Sequence, residues 1–298
     1  MDLAKAVTAA PDRFGMSGGP VRVRRLGAGE TYEAWHVHAG AEDVVVRIVH
    51  RPVAELPRPM AAEFDMLRLV PDGFGPRPVL LDETTDLLGR PFMVTTFVPG
   101  SIVPPDRWTP ELLTTHARRL AHLHGSSRPG GTRVADHFRD SLAWWTGHHP
   151  EIVAQVTHLV PLVAAFVEPT PPAPRHTLVH GDAVVTNILV DDAGTPRYID
   201  WEWTGFGDPA QDLALLGGPI AVAPWYVPLG PAALDHFLAA YRTVHDDETL
   251  PVRRAAWEVC DRFFTSLHYR RQPHHHDVAA QLTTAVERVV GHGHGTDS

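Results

Sequence analysis

From residue 21 the chain alternates apolar and polar side chains in three short runs, VRVRRL, YEAWHVHA and VVVRIV, separated by the turn-forming stretches GAGET and GAED. A period of two in runs rich in valine and aromatic residues predicts three antiparallel strands joined by short loops. The period then lengthens. Met60, Phe64 and Leu67, with Met66 and Val70, mark one side of a helix over residues 57–70. Leu80 and Leu81, and then residues 91–98, read as two further strands flanking the polar turn DETTDLLGR. The prediction for residues 20–98 is a five-stranded sheet with one helix, preceded by an N-terminal extension of residues 1–19.

After Val98, Pro99 and Gly100 the spacing becomes helical. Thr109 reads as a cap with Pro110 at the first helical position, and Leu112, Leu113, His116, Leu120, Leu123 and His124 recur at helical intervals up to Gly125. Further helices are expected over 135–147, 149–167, 209–217, 231–245, 250–269 and 276–291, interrupted by strands only within 177–200. The expected fold is α+β and bilobal: a small N-terminal lobe of antiparallel sheet plus helix, and a larger, mainly helical C-terminal lobe over residues 99–290. A cleft is expected where the chain crosses between them, and residues 291–298 read as a disordered tail.

Three polar residues, Asp182, Asn187 and Asp200, stand in an otherwise apolar background in the stretch HGDAVVTNILVDDAGTPRYIDWEW. A carboxylate five residues before a carboxamide can place a base and a metal ligand on one tight loop. Residues 188–190 read as a short strand, 191–194 as its turn and 197–199 as the returning strand, which is expected to bring Asp200 beside Asn187. Two oxygen ligands on one hard cation suit magnesium-assisted phosphoryl transfer. The bland alternatives are a cap or turn role for each of the three.

The N-terminal half holds matching pieces. Gly27 and Gly29 lie in the first hairpin, where the missing Cβ atoms let backbone N–H groups approach phosphates, although Tyr32 stands where a full G-x-G-x-x-G has its third glycine. Arg47, mid-strand among valines, either faces solvent or reaches into the cleft, and Glu63 on the next helix is a candidate partner that orients it toward phosphates.

Composition narrows the partners. With 35 acidic against 26 basic side chains, a formal charge of −9 argues against nucleic acid and mildly favours a neutral or cationic small molecule. One cysteine, Cys260, makes no internal disulfide. No apolar run approaches the ~20 residues of a membrane span, and no secretory leader is evident, so a cytoplasmic protein without membrane partners is expected. Among the 20 histidines, the clusters His274-His275-His276, His148-His149 and GHGHGTDS sit in Pro- and Gly-bearing segments without metal-ligand spacing and read as solvated loop residues.

The segment VHGDAVVTNILVDDAGTPRYIDWEWTGFGDPAQDLALLG, together with RLGAGE, VVVRIV, EFDML, PFMVTTFVPG and LAHLHG, resembles the aminoglycoside phosphotransferase and choline kinase-like family, which shares the protein-kinase-like fold. The likeness covers most of residues 20–218. It implies Asp182 as the catalytic carboxylate, Asn187 and Asp200 as ligands of Mg2+ on ATP, and Arg47 in place of the usual phosphate-binding lysine with Glu63 as its partner. It further implies that backbone groups of Thr96, Phe97 and Val98 bind adenine, and that Asp208 and Asp212 brace the catalytic loop. Ala183, Val184, Val185 and Thr186 depart from the family's HGDLHPGN-like pattern. His180 reads as a structural hydrogen bonder.

For the acceptor, Glu202, Trp203, Trp257 and Glu258 offer aromatic and acidic groups to a cationic or sugar-like molecule, with core packing as the alternative for each tryptophan. The leading expectation is an ATP- and magnesium-dependent kinase, GTP not being excluded, for a hydroxyl on a small molecule such as an antibiotic. A metabolite kinase for an amino alcohol or sugar derivative, and a kinase-like nucleotide-binding protein without turnover, stand as alternatives. A monomer or homodimer is expected.

Overall fold

A computed structural model describes residues 2–56 and 58–292, which form two compact units: Met1–Gly100 with Arg197–Thr204, and Ser101–Pro196 with Gly205–Ser298. In the first unit the elements are α1 (Leu3–Ala9), β1 (Val21–Ala28), β2 (Tyr32–Ala39), β3 (Glu42–Val49), α2 (Met60–Leu67), β4 (Pro78–Asp82) and β5 (Phe92–Thr96). The strands form the expected five-stranded sheet, antiparallel throughout, and its order is β1-β2-β3-β5-β4. Val44, Val46 and Ile48 of β3 join Val37, Phe92 and Val94 in a core closed by Leu3, Val7, Phe14 and Met16. The N-terminal extension is therefore part of this core, with Phe14 stacked on Phe92 at 5.2 Å.

Helix α2 is shorter than the period suggested. Pro59, without an N–H, stands at its N-cap, and after Leu67 the chain tightens into i→i+3 turns, Leu69 N–H to Met66 O and Val70 N–H to Leu67 O. Residue 57, where the helix was expected to start, lies outside the described residues. The segment Arg197–Thr204 returns to this unit because the unit has a slot for it. Tyr198 N–H donates to Phe74 O at 2.7 Å, and Trp201 is fully buried with its Nε1 donating to Tyr198 O at 3.0 Å. A Cβ at Gly75 would stand 2.6 Å from Trp201 Nε1, so only glycine admits the indole.

The second unit holds β6 (Ser101–Ile102), α3 (Pro110–Leu123), β7 (Ser127–Arg128), α4 (Val134–His148), α5 (Pro150–Ala154), α6 (Val160–Val167), β8 (His176–Val179), β9 (Ile188–Val190) and β10 (Pro196–Tyr198), the last leading into the segment described above. There follow β11 (Gly205–Gly207), α7 (Ala210–Leu215), β12 (Gly217–Gly218), β13 (Val227–Pro228), α8 (Pro231–Arg242), α9 (Leu250–Arg270) and α10 (His276–His292). Thr109 caps α3 as expected, its Oγ1 accepting from Leu112 N at 3.3 Å, with Pro110 at the first turn. The single helix expected over 149–167 is two, since Pro161 can sit only in a first turn and forces a new start at Val160. Helix α10 runs two residues into the stretch read as a tail, and from residue 293 that expectation lies outside the described residues. Among the described residues no helix is long and apolar enough to cross a membrane.

Helix α9 carries four charged residues in the interior, Arg253, Arg254, Glu258 and Arg262. Arg253 is held by Asp208 and Asp247, and the other three meet the chain between Ala214 and Ile220. Arg262 donates to Ile220 O (3.1 Å) and Ala214 O (2.9 Å), Arg254 to Gly217 O, and Glu258 accepts from Ile220 N at 2.9 Å. Buried charges with partners like these pin the chain from Ala214 to Ile220, whose own ladder is the two-residue pairing of β12 with β13.

Between α3 and α8, His116 is fully buried, stacked on Phe237 at 5.8 Å and edge-on to Trp108. Burial pushes its pKa down to about 3. The folded protein therefore holds it neutral while the unfolded chain protonates it near pH 6.5, so its stability contribution is complete above pH 6.5 and is lost as pH falls toward 3. We expect His116→Phe to flatten this dependence: between pH 7.5 and 5 the wild type should lose about 2 kcal/mol more than the variant in urea unfolding. Parallel curves would refute it.

Candidate active site

The candidate residues fall into two side-chain clusters, one in each unit. In the first unit, strand alternation turns Arg47 away from the valine core, and its cross-strand neighbour on β2 is Ala34. The arginine is mostly covered. Its Nη1 donates to Glu63 Oε1 and its Nη2 to Asp200 Oδ1 at 2.6 Å, while its Cζ lies 4.4 Å from the Tyr32 ring centroid. Burial opposes the charge, yet Glu63 and then Asp200 outweigh it and raise the guanidinium pKa further. Glu63 comes from α2, and Asp200 from the returned segment, where it adopts a left-handed backbone with φ 62°. Asp tolerates that region better than most residues, at a modest cost.

Glu202 joins the same cluster. Burial first, then the Asp200 charge, pushes its carboxyl up to about 7, with Arg47 and a Thr31 hydrogen bond opposing. Thr31, buried, belongs to the hairpin loop between β1 and β2, and Gly29 N–H in that loop donates to Tyr32 O at 2.9 Å. A Cβ on Gly27 or Gly29 would meet nothing within 4 Å, so the space beside both is open. Of the groups expected to bind adenine, Thr96 N–H is bonded to Arg77 O (2.9 Å) and Phe97 N–H to Asp43 O (3.2 Å), with the Phe97 ring stacked on His36.

In the second unit the stretch after β8 forms a tight loop with Gly181 at φ 82°. Asn187 Nδ2 donates both to Asp182 O (3.0 Å) and to Asp182 Oδ2 (2.7 Å), which fixes the carboxylate and commits the amide nitrogen, leaving the amide oxygen as the donor a cation would use. Asn187 and Asp200 are thus both oxygen donors, as a hard cation requires. His180, fully buried, accepts from Asp182 N at 3.2 Å through Nδ1 and so shapes the loop. Ala183, Val184 and Val185 are buried, and Val185 N–H donates to Trp225 O at 2.9 Å.

Asp212 anchors this loop from within the core. Its Oδ2 accepts from His180 N (2.7 Å) and His124 Nε2 (3.1 Å), and its Oδ1 from Gly181 N (2.9 Å). Burial raises its pKa, but the His124 hydrogen bond and charge, with His180, prevail and hold it below the usual carboxylate range. His124 Nδ1 in turn meets Tyr241 OH at 3.0 Å. His124 and Tyr241 were missed as supports, although a histidine on the apolar side of α3 was the available signal.

Asp208 braces a different part. It accepts from Ala210 N (2.9 Å), from Trp257 Nε1 (2.8 Å) and from Arg253, tying the start of α7 to α9 and not to the loop of Asp182. Trp257 and Glu258, expected at the acceptor, are buried, the first bonded to Asp208 and the second to Arg254 and Ile220 N. Trp203 is 46% exposed. Among the described residues no three or more His, Cys, Asp or Glu side chains gather as a metal site.

The model of the phosphotransferase enzyme family matches residues 22–257. Viomycin phosphotransferase of Streptomyces vinaceus is 29% identical over 223 residues, 65% of this chain and 76% of that protein. A thermostable mutant of aminoglycoside phosphotransferase APH(4)-Ia, solved with ADP and hygromycin B, superposes with a TM-score of 0.64 at 17% identity over 98% of this chain and 100% of its own. Choline kinase from Cryptosporidium parvum gives 0.60 at 12% identity, over 98% and 94%. The expected fold is the one these structures share.

Proposed function

Because the chain belongs to the phosphotransferase enzyme family, we propose that it transfers the γ-phosphoryl group of ATP, with magnesium, to a hydroxyl of a small-molecule antibiotic. The observation that carries the reading is the loop in which Asn187 fixes the Asp182 carboxylate while Asp212 holds the backbone behind it. A carboxylate held in one orientation can aim an alcohol at phosphorus and take its proton late in a loose transition state. Arg47, permanently charged, attracts the phosphates, and the open space beside Gly27 and Gly29 leaves room for them. With the N–H groups of Thr96 and Phe97 occupied, Val98 and the carbonyl oxygens of the other two are left for adenine. Asn187 and Asp200 are the residues that would hold magnesium, and the chemistry such an ion supplies when bound is neutralisation of phosphate charge.

An antibiotic acceptor is favoured by the likeness to the viomycin enzyme. Glu202 and Trp203 remain for its recognition, while Trp257 and Glu258 drop out because their polar atoms are spent in the core.

The test is ADP release from ATP or GTP, with and without magnesium, against aminoglycosides, macrolides, peptide antibiotics and choline-like alcohols. We expect magnesium-dependent release with at least one antibiotic. Turnover of choline-like alcohols alone would remove the antibiotic, and no turnover with any acceptor would leave only a nucleotide-binding role. Asp200→Asn, which preserves tolerance of the left-handed backbone, should make ATP affinity indifferent to magnesium in calorimetric titration. Undiminished magnesium dependence would remove Asp200 from the ligand set.

A further inference from the structure

The residue that interrupts the glycine pattern has its own place in the first cluster. Tyr32 opens β2, pairs with Val49 and is 6% exposed. Directly across from Arg47 stands Ala34, whose side chain leaves room above it. Tyr32 lies two residues along on the same face of β2, within the diagonal reach of an aromatic ring across a strand pair. It uses that reach: the ring centroid is 4.4 Å from Arg47 Cζ. The guanidinium is thereby defined on three sides, one face by the phenol ring, one nitrogen by Glu63 and the other by Asp200. A planar, forked cation can satisfy all three at once, whereas an ammonium is a single point.

We propose that Tyr32 is a positioning residue for Arg47, and that the Tyr32 ring is what allows arginine to serve where the family resemblance expects lysine. The inference rests on the reading that Arg47 meets nucleotide phosphates. It predicts that the ring matters and the hydroxyl does not, and that the effect is felt only by ligands carrying phosphate.

The experiment measures dissociation constants of magnesium AMP-PNP and of adenosine for the wild type, Tyr32→Phe, Tyr32→Leu and Arg47→Lys, with circular dichroism to verify folding. A stacked cation contributes enough that Tyr32→Leu should weaken AMP-PNP about tenfold. Adenosine should stay within about twofold, Tyr32→Phe should match the wild type, and Arg47→Lys should lose affinity for AMP-PNP despite keeping its charge. Equal losses for AMP-PNP and adenosine, or a Phe variant as weak as the Leu variant, would show Tyr32 shaping the hairpin and overturn the inference. A wild type that binds AMP-PNP no better than adenosine overturns the phosphate reading itself, and the inference with it.

Discussion

Asp182→Asn should lower turnover by about three orders of magnitude or more while leaving nucleotide affinity within about twofold. The substitution is mild in shape. The side-chain oxygen that accepts from Asn187 Nδ2 can stay, so the loop keeps its form and only the negative charge and proton affinity go. General-base assistance and orientation of the acceptor are lost together, and with them the interaction made only as the hydroxyl is deprotonated. Initial rates of ADP release, paired with calorimetric titration of nucleotide, separate the two parameters. A loss in turnover below tenfold would remove Asp182 from its catalytic role, whereas a parallel loss of nucleotide binding would point to a disturbed loop.

The second large effect is on folding. Asp212→Ala should destabilise the protein by about 3–5 kcal/mol, since it strands two backbone N–H groups and one histidine N–H in the core, each of which costs roughly 1–3 kcal/mol unpaired. The same change should lower turnover even where the variant is fully folded, because His180 and Gly181 immediately precede Asp182. Urea unfolding gives the first number and rates in the absence of denaturant the second. Destabilisation under 1 kcal/mol would mean that water replaces the carboxylate and that the loop needs no internal anchor.

Much of the first unit was legible because period-two runs bounded by glycine turns admit few other structures, and because a lone arginine among valines needs a partner, for which Glu63 on the next helix was the candidate. The polar constellation of Asp182 and Asn187 was legible for a similar reason, since an apolar background makes each polar residue costly without a purpose. What could not be read follows from long-range partners. Arg254 and Arg262 of α9 resemble residues of a solvated helix until carbonyls of Ala214, Gly217 and Ile220 meet them, and Arg253 does so until Asp208 pairs with it. Trp257 looked like a ligand platform because its partner Asp208 lies 49 residues away. Tyr32 looked like a defect in a glycine motif, and its contact with Arg47 depends on a strand register that local pattern does not specify. Strands of two residues, such as β6 and β12, carry no period at all.

The return of Arg197–Thr204 to the first unit bears on biosynthesis. When Gly100 leaves the ribosome, the slot beside Phe74 and Gly75 still lacks Trp201, and Arg47 still lacks Asp200. At ordinary elongation rates of roughly 5–20 residues per second, about five to twenty seconds pass before the missing segment emerges. During that interval the nascent sheet has an uncovered apolar seat and an incompletely neutralised cation, so its completion is a late event in synthesis.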